Sequence, residues 1–152
     1  MLRTWKLKRK DPEEVEMIPC VNTFVKAKII EVHDGDTCKV IYRYGSKYFK
    51  TSIRILGIDT PETTRCSDIE KEAGLSVRDY VRSLILGKIK YIKIEKNDKF
   101  GGRVLGDVYL HGKQKPLSQH LLQRNVAKPY HGEKKEAWTD KQCKNIVLRL
   151  TT

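Results

Sequence analysis

Two short stretches carry the side chains most able to do chemistry: HDGDT at His33–Thr37, and ILGIDTPET at Ile55–Thr63, where a hydrophobic run breaks into acids. Taken alone, DGDT also reads as a hairpin turn and DTPET as a turn leading into a helix. Together they offer Asp36, Asp59 and Glu62, which converge if the strands bearing them lie side by side. Clustered carboxylate and carbonyl oxygens, without cysteine or paired histidine, favour a hard cation such as Ca²⁺ or Mg²⁺ over zinc or copper. Thr60 can add its backbone carbonyl. Acids held this close repel one another and lose solvation, so such a cluster calls for a divalent ion or neighbouring arginines.

Arg54 is the nearest candidate, five residues before Asp59 on a strand that alternates Phe49, Thr51, Ile53 and Ile55 with polar residues. An arginine there reads as a surface cation or as a clamp that grips phosphate through two parallel hydrogen bonds. Arg103, beside the glycine-bearing NDKFGG loop, offers a second clamp.

These residues need elements to hold them. Val25, Ala27 and Ile29 alternate with lysines, DG at Asp34–Gly35 supplies turn chemistry, and a second run continues through Cys38, Val40 and Tyr42. With YFKTSIRIL this makes three consecutive antiparallel strands. Ser67 and Glu70 fit a capping box, and Ile69, Ala73, Val77, Val81 and Leu84 follow at helical spacing until Gly87. Residues 88–96 and 103–110 predict two more strands, and 116–124 and 134–150 two closing helices. The expected fold is α+β, mainly β: a five-stranded Greek-key barrel of the oligonucleotide-binding type with about three helices. A ferredoxin-like split sheet is the alternative. Residues 1–22 read as an irregular basic and acidic arm and 23–152 as the domain.

At 152 residues the chain is long enough to bury one ordinary core. Its 31 basic and 19 acidic residues leave a net charge of +12, an attractive surface for polyanions, nucleic acid first among them. The four cysteines show neither zinc nor redox spacing, and read as reduced thiols. No apolar run is long enough to span a bilayer, and the N-terminal residues lack a secretory apolar core. The expectation is an intracellular monomer without a membrane partner.

In order, DGDT, RILGIDTPET and DKFGGRVLGDVYL resemble the three signature blocks of the staphylococcal nuclease-like (thermonuclease) family over roughly residues 23–149. The resemblance implies an oligonucleotide-binding barrel whose Ca²⁺-dependent site cuts DNA and RNA phosphodiesters with little sequence selectivity. It implies Asp36 and Asp59 as metal ligands, Thr60 as a ligand through its carbonyl, and Glu62 beside the attacking water. Arg54 and Arg103 match the arginines that hold the phosphate, Asp34 an acid near the metal, and Tyr130 and Lys99 contacts to nucleic acid. One departure is FGGR where the family usually reads YGR, one residue longer before Arg103.

The chemistry agrees with this assignment. Water attack on a phosphodiester adds negative charge to the phosphoryl oxygens, which a cation and two arginines would offset. Glu62 can act as general base or as an orienter of water. On this reading, alanine at Arg54 or Arg103 leaves the fold largely intact and removes turnover. The competing readings are a non-catalytic nucleic-acid-binding barrel, using Tyr42, Tyr44, Tyr48 and Tyr130, and a protein-recognition domain.

Overall fold

A computed structural model describes residues 2–11, 21–98 and 102–152. Lys99, one of the expected nucleic-acid contacts, lies outside the described residues, as does the acidic patch at 13–16. The first turn of the polypeptide differs from the expected irregular arm: Leu2–Lys8 forms a helix, α1. Its Trp5 is exposed, with the Arg9 guanidinium 4.6 Å from the ring centre.

Strands β1 (Phe24–Asp34), β2 (Thr37–Tyr44) and β3 (Lys47–Ile55) form an antiparallel meander. Strand β5 (Ile89–Asn97) returns beside β1, and β6 (Arg103–His111) pairs with β5 antiparallel and with β3 parallel. The ring β1-β2-β3-β6-β5-β1 is therefore a closed five-stranded barrel, the expected architecture, and the parallel β3–β6 closure rules out the split sheet. Two short additions were not foreseen: β7 (Gln114–Pro116) extends β6, and β4 (Ile58–Asp59) pairs with β8 (Lys128–Pro129).

Alternation explains the core. Ala27 and Ile29 of β1, Cys38 and Val40 of β2, Ile92 and Ile94 of β5, and Val104 and Val108 of β6 all point into the barrel and are buried. Helix α2 (Asp68–Ile85) starts where Ser67 accepts a hydrogen bond from the Glu70 backbone N–H. Its buried stripe of Ala73, Val77, Val81 and Ile85 packs against β1 and against helix α4 (Asp140–Thr151). A short helix, α3 (Leu117–Gln123), buries Leu117 and Leu121.

Helix α4 begins six residues later than its apolar spacing suggests. Thr139 and Gln142 form a reciprocal capping box, Gln142 N–H to Thr139 Oγ1 at 3.2 Å and Thr139 N–H to Gln142 Oε1 at 2.9 Å. That cap fixes the start of the helix, so residues 134–138 run without helical structure. No described helix is long and apolar enough to cross a membrane.

Candidate active site

The two acidic stretches meet because glycine lets backbones approach. A Cβ on Gly35 would lie 2.6 Å from Val77 Cγ1 and 2.9 Å from Thr60 Oγ1, so the DGD turn nests against both α2 and the second stretch. A Cβ on Gly74 would lie 2.4 Å from the Glu62 carbonyl oxygen, which seats α2 directly on the DTPET backbone. Cross-strand pairing of Thr37 with Arg54, and the bond from Ile55 N–H to the Asp36 carbonyl at 2.7 Å, complete the register.

The result is a buried ionic cluster. Arg54 Nη2 lies 3.3 Å from Asp36 Oδ2 and 4.0 Å from Asp59 Oδ1, while Nη1 donates to the carbonyls of Ile55 (2.8 Å) and Ile58 (3.0 Å). Arg54 is thus a buried organiser and not a cation on an open strand face. Thr60 Oγ1 donates to Asp36 Oδ2 at 3.2 Å, and Thr37 Oγ1 to Asp36 Oδ1 at 3.1 Å. Asp34 accepts from the Asp36 backbone N–H at 3.1 Å, holding the turn. Burial first, then the charge of Asp34, pushes the Asp36 carboxyl up to about 6 against the opposing pull of Arg54.

Asp59 is held from the other side by residues that sequence reasoning did not single out. Trp138 Nε1 donates to its Oδ2 at 3.1 Å, and Lys135 Nζ sits 2.9 Å from its Oδ1. That Oδ1 is buried, and among the described residues its partners are cationic: the Lys135 ammonium and, at 4.0 Å, the Arg54 guanidinium. Lys135 also reaches Glu62 Oε1 at 3.2 Å. Burial lowers the Lys135 pKa, but the hydrogen bond and charge of Asp59, followed by those of Glu62, more than offset this and the net shift is upward. Both Lys135 and Trp138 belong to the non-helical run before α4; the signal that could have found them is the T-x-x-Q cap at Thr139–Gln142.

A cavity of about 570 Å³ opens beside the cluster, lined by Arg54, Lys96, Arg103, Tyr130 and Lys135 among others. The two expected phosphate clamps therefore share one space, despite the extra glycine: Gly102 adopts φ +70° and Arg103 starts β6 beside Ser52. Arg103 Nε is ion-paired with Asp98, whose own backbone N–H donates to the Arg103 carbonyl. Tyr130 is placed by its N–H bond to the Gly57 carbonyl at 3.0 Å. Tyr130 and Lys135 also line a neighbouring cavity of about 420 Å³, on which Asp59 opens. Asp34, Asp36, Arg54, Asp59, Thr60 and Glu62 are brought together, and Arg103 and Tyr130 face the same space.

Residues 52–147 match the family model described as staphylococcal nuclease homologue. The chain belongs to the staphylococcal nuclease family. Over 98 residues it is 35% identical to Endonuclease YncB of Bacillus subtilis (strain 168), a match covering 62% of this chain and 43% of that protein. The chain thus spans less than half the length of this relative.

The cation that the family implies can be tested against these residues. Among the described residues no three His, Cys, Asp or Glu side chains are grouped to hold a metal by themselves. Two buried carboxylates, Asp36 and Asp59, beside Thr60 do fit a hard ion that completes its shell with backbone and water oxygens. Among the described residues this oxygen donor set favours a hard ion over a thiolate-bound or imidazole-bound one.

Proposed function

We propose that this protein is a metal-dependent phosphodiesterase, an endonuclease that hydrolyses DNA or RNA with low sequence selectivity and uses Ca²⁺, with Mg²⁺ as the alternative ion. The observation that carries this reading is the buried Asp36–Arg54–Asp59 cluster set beside a cavity that Arg54 and Arg103 line together. Asp36, Asp59 and the Thr60 carbonyl would hold the cation, which when bound supplies positive charge to the phosphoryl oxygens.

The protein's own groups do the rest. Arg54 and Arg103 grip the phosphate, and both are fixed before substrate arrives: Arg54 by two carbonyls and two acids, Arg103 by Asp98. Such preorganised positive groups stabilise charge that grows in the transition state. Glu62, half exposed at the rim, is the acceptor that takes a proton from water or orients it. Its backbone N–H donates to Glu70 Oε1 at 3.1 Å, so α2 fixes where this carboxylate stands. Tyr130 offers a ring on which any base can stack, consistent with low selectivity.

Incubation with single-stranded DNA, duplex DNA and RNA tests the proposal, in Ca²⁺, in Mg²⁺ and in chelator. Internal cleavage that needs the ion and disappears in Glu62→Gln is expected. Binding without cleavage under every condition would make the protein a non-catalytic nucleic-acid-binding barrel.

A further inference from the structure

The outer face of β1 and β5 carries a second feature that the catalytic site does not use. Phe24 of β1 meets Tyr109 of β6 edge to face, with ring centres 4.8 Å apart, and Tyr91 of β5 at 6.4 Å. Three ammonium groups gather on these rings: Lys26 lies 5.7 Å and Lys113 5.3 Å from the Tyr91 centre, and Lys93 and Lys113 each lie 5.6 Å from that of Phe24. Register explains the grouping, since Phe24 pairs with Lys93, Lys26 with Tyr91, and Tyr91 with Tyr109. The rings are half-buried, and Lys26 and Lys113 are exposed.

Among the described residues none of these three lysines forms an ion pair with a carboxylate, unlike Lys39 with Glu31 or Lys135 with Asp59. Cation–ring contact holds their positions without neutralising the ammonium groups. Three positive charges over aromatic surface match an unpaired nucleic-acid strand, whose phosphates take the charge and whose bases stack on rings. A duplex, with its bases inside, uses only half of that offer. The face also leads to the catalytic cavity. Beyond Lys93 a β-bulge between Ile94 and Lys96 interrupts β5, and Lys96 lines the cavity that holds Arg54 and Arg103. The six residues of strand from Tyr91 to Lys96, five steps of about 3.3 Å, span about 17 Å, within the reach of the roughly 4–16 nucleotides that one such barrel engages. Glu95 is the single acid on that stretch.

We infer that Lys26, Lys93 and Lys113, with Phe24, Tyr91 and Tyr109, form a docking surface for a single nucleic-acid strand whose far end occupies the catalytic cavity. The inference rests on the nucleic-acid substrate proposed above and adds a second point of attachment to it.

Fluorescence anisotropy with a labelled 20-nucleotide single strand, in chelator so that nothing is cut, tests this surface. Lys26→Gln/Lys93→Gln/Lys113→Gln is expected to weaken binding about tenfold or more and to flatten the slope of log affinity against log salt by about 2, some 0.7 for each lost phosphate contact. Glu95→Lys is expected to tighten binding and steepen the slope. In the presence of the ion, cleavage of a dinucleotide, too short to leave the cavity, should be equal in the wild type and the triple variant, while cleavage of the long strand falls. Thermal melting of both variants checks that the barrel is intact. Long-strand affinity and salt slope unchanged in a folded triple variant would overturn the docking surface while leaving dinucleotide cleavage as separate support for the catalytic reading. Equal affinity of the wild type for polyglutamate of matched charge would overturn the strand as its occupant.

Discussion

Two buried carboxylates, Asp36 and Asp107, are pushed up to about 6, burial being the first cause in both, yet they are opposite solutions to the same problem. Asp107 sits on β6 beneath α3 and is answered by neutral donors: the Val108 N–H at 2.8 Å, the Ser118 N–H at 3.3 Å and the Ser118 hydroxyl. Those bonds tie the start of α3 to the barrel and close the site. Asp36 is answered by a guanidinium, has a second acid beside it in Asp34, and belongs to a cluster in which Asp59 depends on the partly exposed Lys135 ammonium. The difference teaches that a perturbed acid alone does not mark function. What marks it is an acid whose charge is only partly met, beside a space that can admit a ligand.

The comparison breaks most visibly at the arginines. Arg103→Ala removes one charge stabiliser from the rim and is expected to lower turnover by about 10² to 10³, with a smaller loss of stability than Arg54→Ala because it withdraws a partner from one buried acid, Asp98, and not from two. Arg54→Ala is expected to lose as much activity and, in addition, about 3–5 kcal/mol of stability, because it leaves Asp36 and Asp59 buried without their shared partner. The sequence-based expectation that alanine at either arginine leaves the fold largely intact is thus set against the buried acids that each arginine pairs with. Urea denaturation alongside initial rates separates the two effects. Equal stability losses in both variants would mean that the cluster is not organised by Arg54.

Asp107 offers a pH test of the closed site. Its pKa is raised in the folded protein above the unfolded value near 4, so the native state holds the proton more tightly. This contribution to stability is fully present below about pH 4 and is lost as pH rises through about 6, with a ceiling on the order of 3 kcal/mol. Asp36 acts in the same direction in ion-free protein, so the difference between wild type and Asp107→Asn isolates the one group. Urea midpoints at pH 4.5, 5.5 and 7 should show the variant gaining relative to wild type as pH rises. A difference independent of pH would mean that the three hydrogen bonds already compensate the buried charge.

Much of the fold and of the site follows from local patterns: alternating strands, the Ser67 cap, and turn residues that end each strand beside an acid. What was hidden depends on distant parts of the chain. The burial of Arg54, though not its place beside the acids, was hidden because strand alternation cannot reveal that the DTPET backbone folds over that end of the barrel. The seating of that backbone depends on Gly74, which looks in sequence like a weak spot in a helix. Gly74→Ala should cost about 1–3 kcal/mol, since its Cβ would strike the Glu62 carbonyl and α2 would have to retreat. A fully stable Gly74→Ala variant would show that the acidic loop can shift without penalty. Residues 134–138 read in sequence as part of the following helix, whereas the cap at Thr139 decides where that helix begins.

The smallest effect concerns Lys135 and asks how open the Asp36–Asp59 site is. Its ammonium lies 2.9 Å from Asp59 Oδ1 and 3.2 Å from Glu62 Oε1, on the same oxygens that a bound cation would draw upon. Two positive charges on one carboxylate repel, so the lysine and the ion compete. The lysine side chain is 43% exposed, which limits the interaction to about 1 kcal/mol and the expected change to about fivefold. Calorimetric titration with Ca²⁺ should accordingly show tighter binding in Lys135→Met than in wild type, with the gap narrowing as salt screens the ammonium. Weaker binding in the variant would reverse the argument: Lys135 would then be holding Asp59 and Glu62 in position for the ion, and the site would resemble the closed arrangement at Asp107.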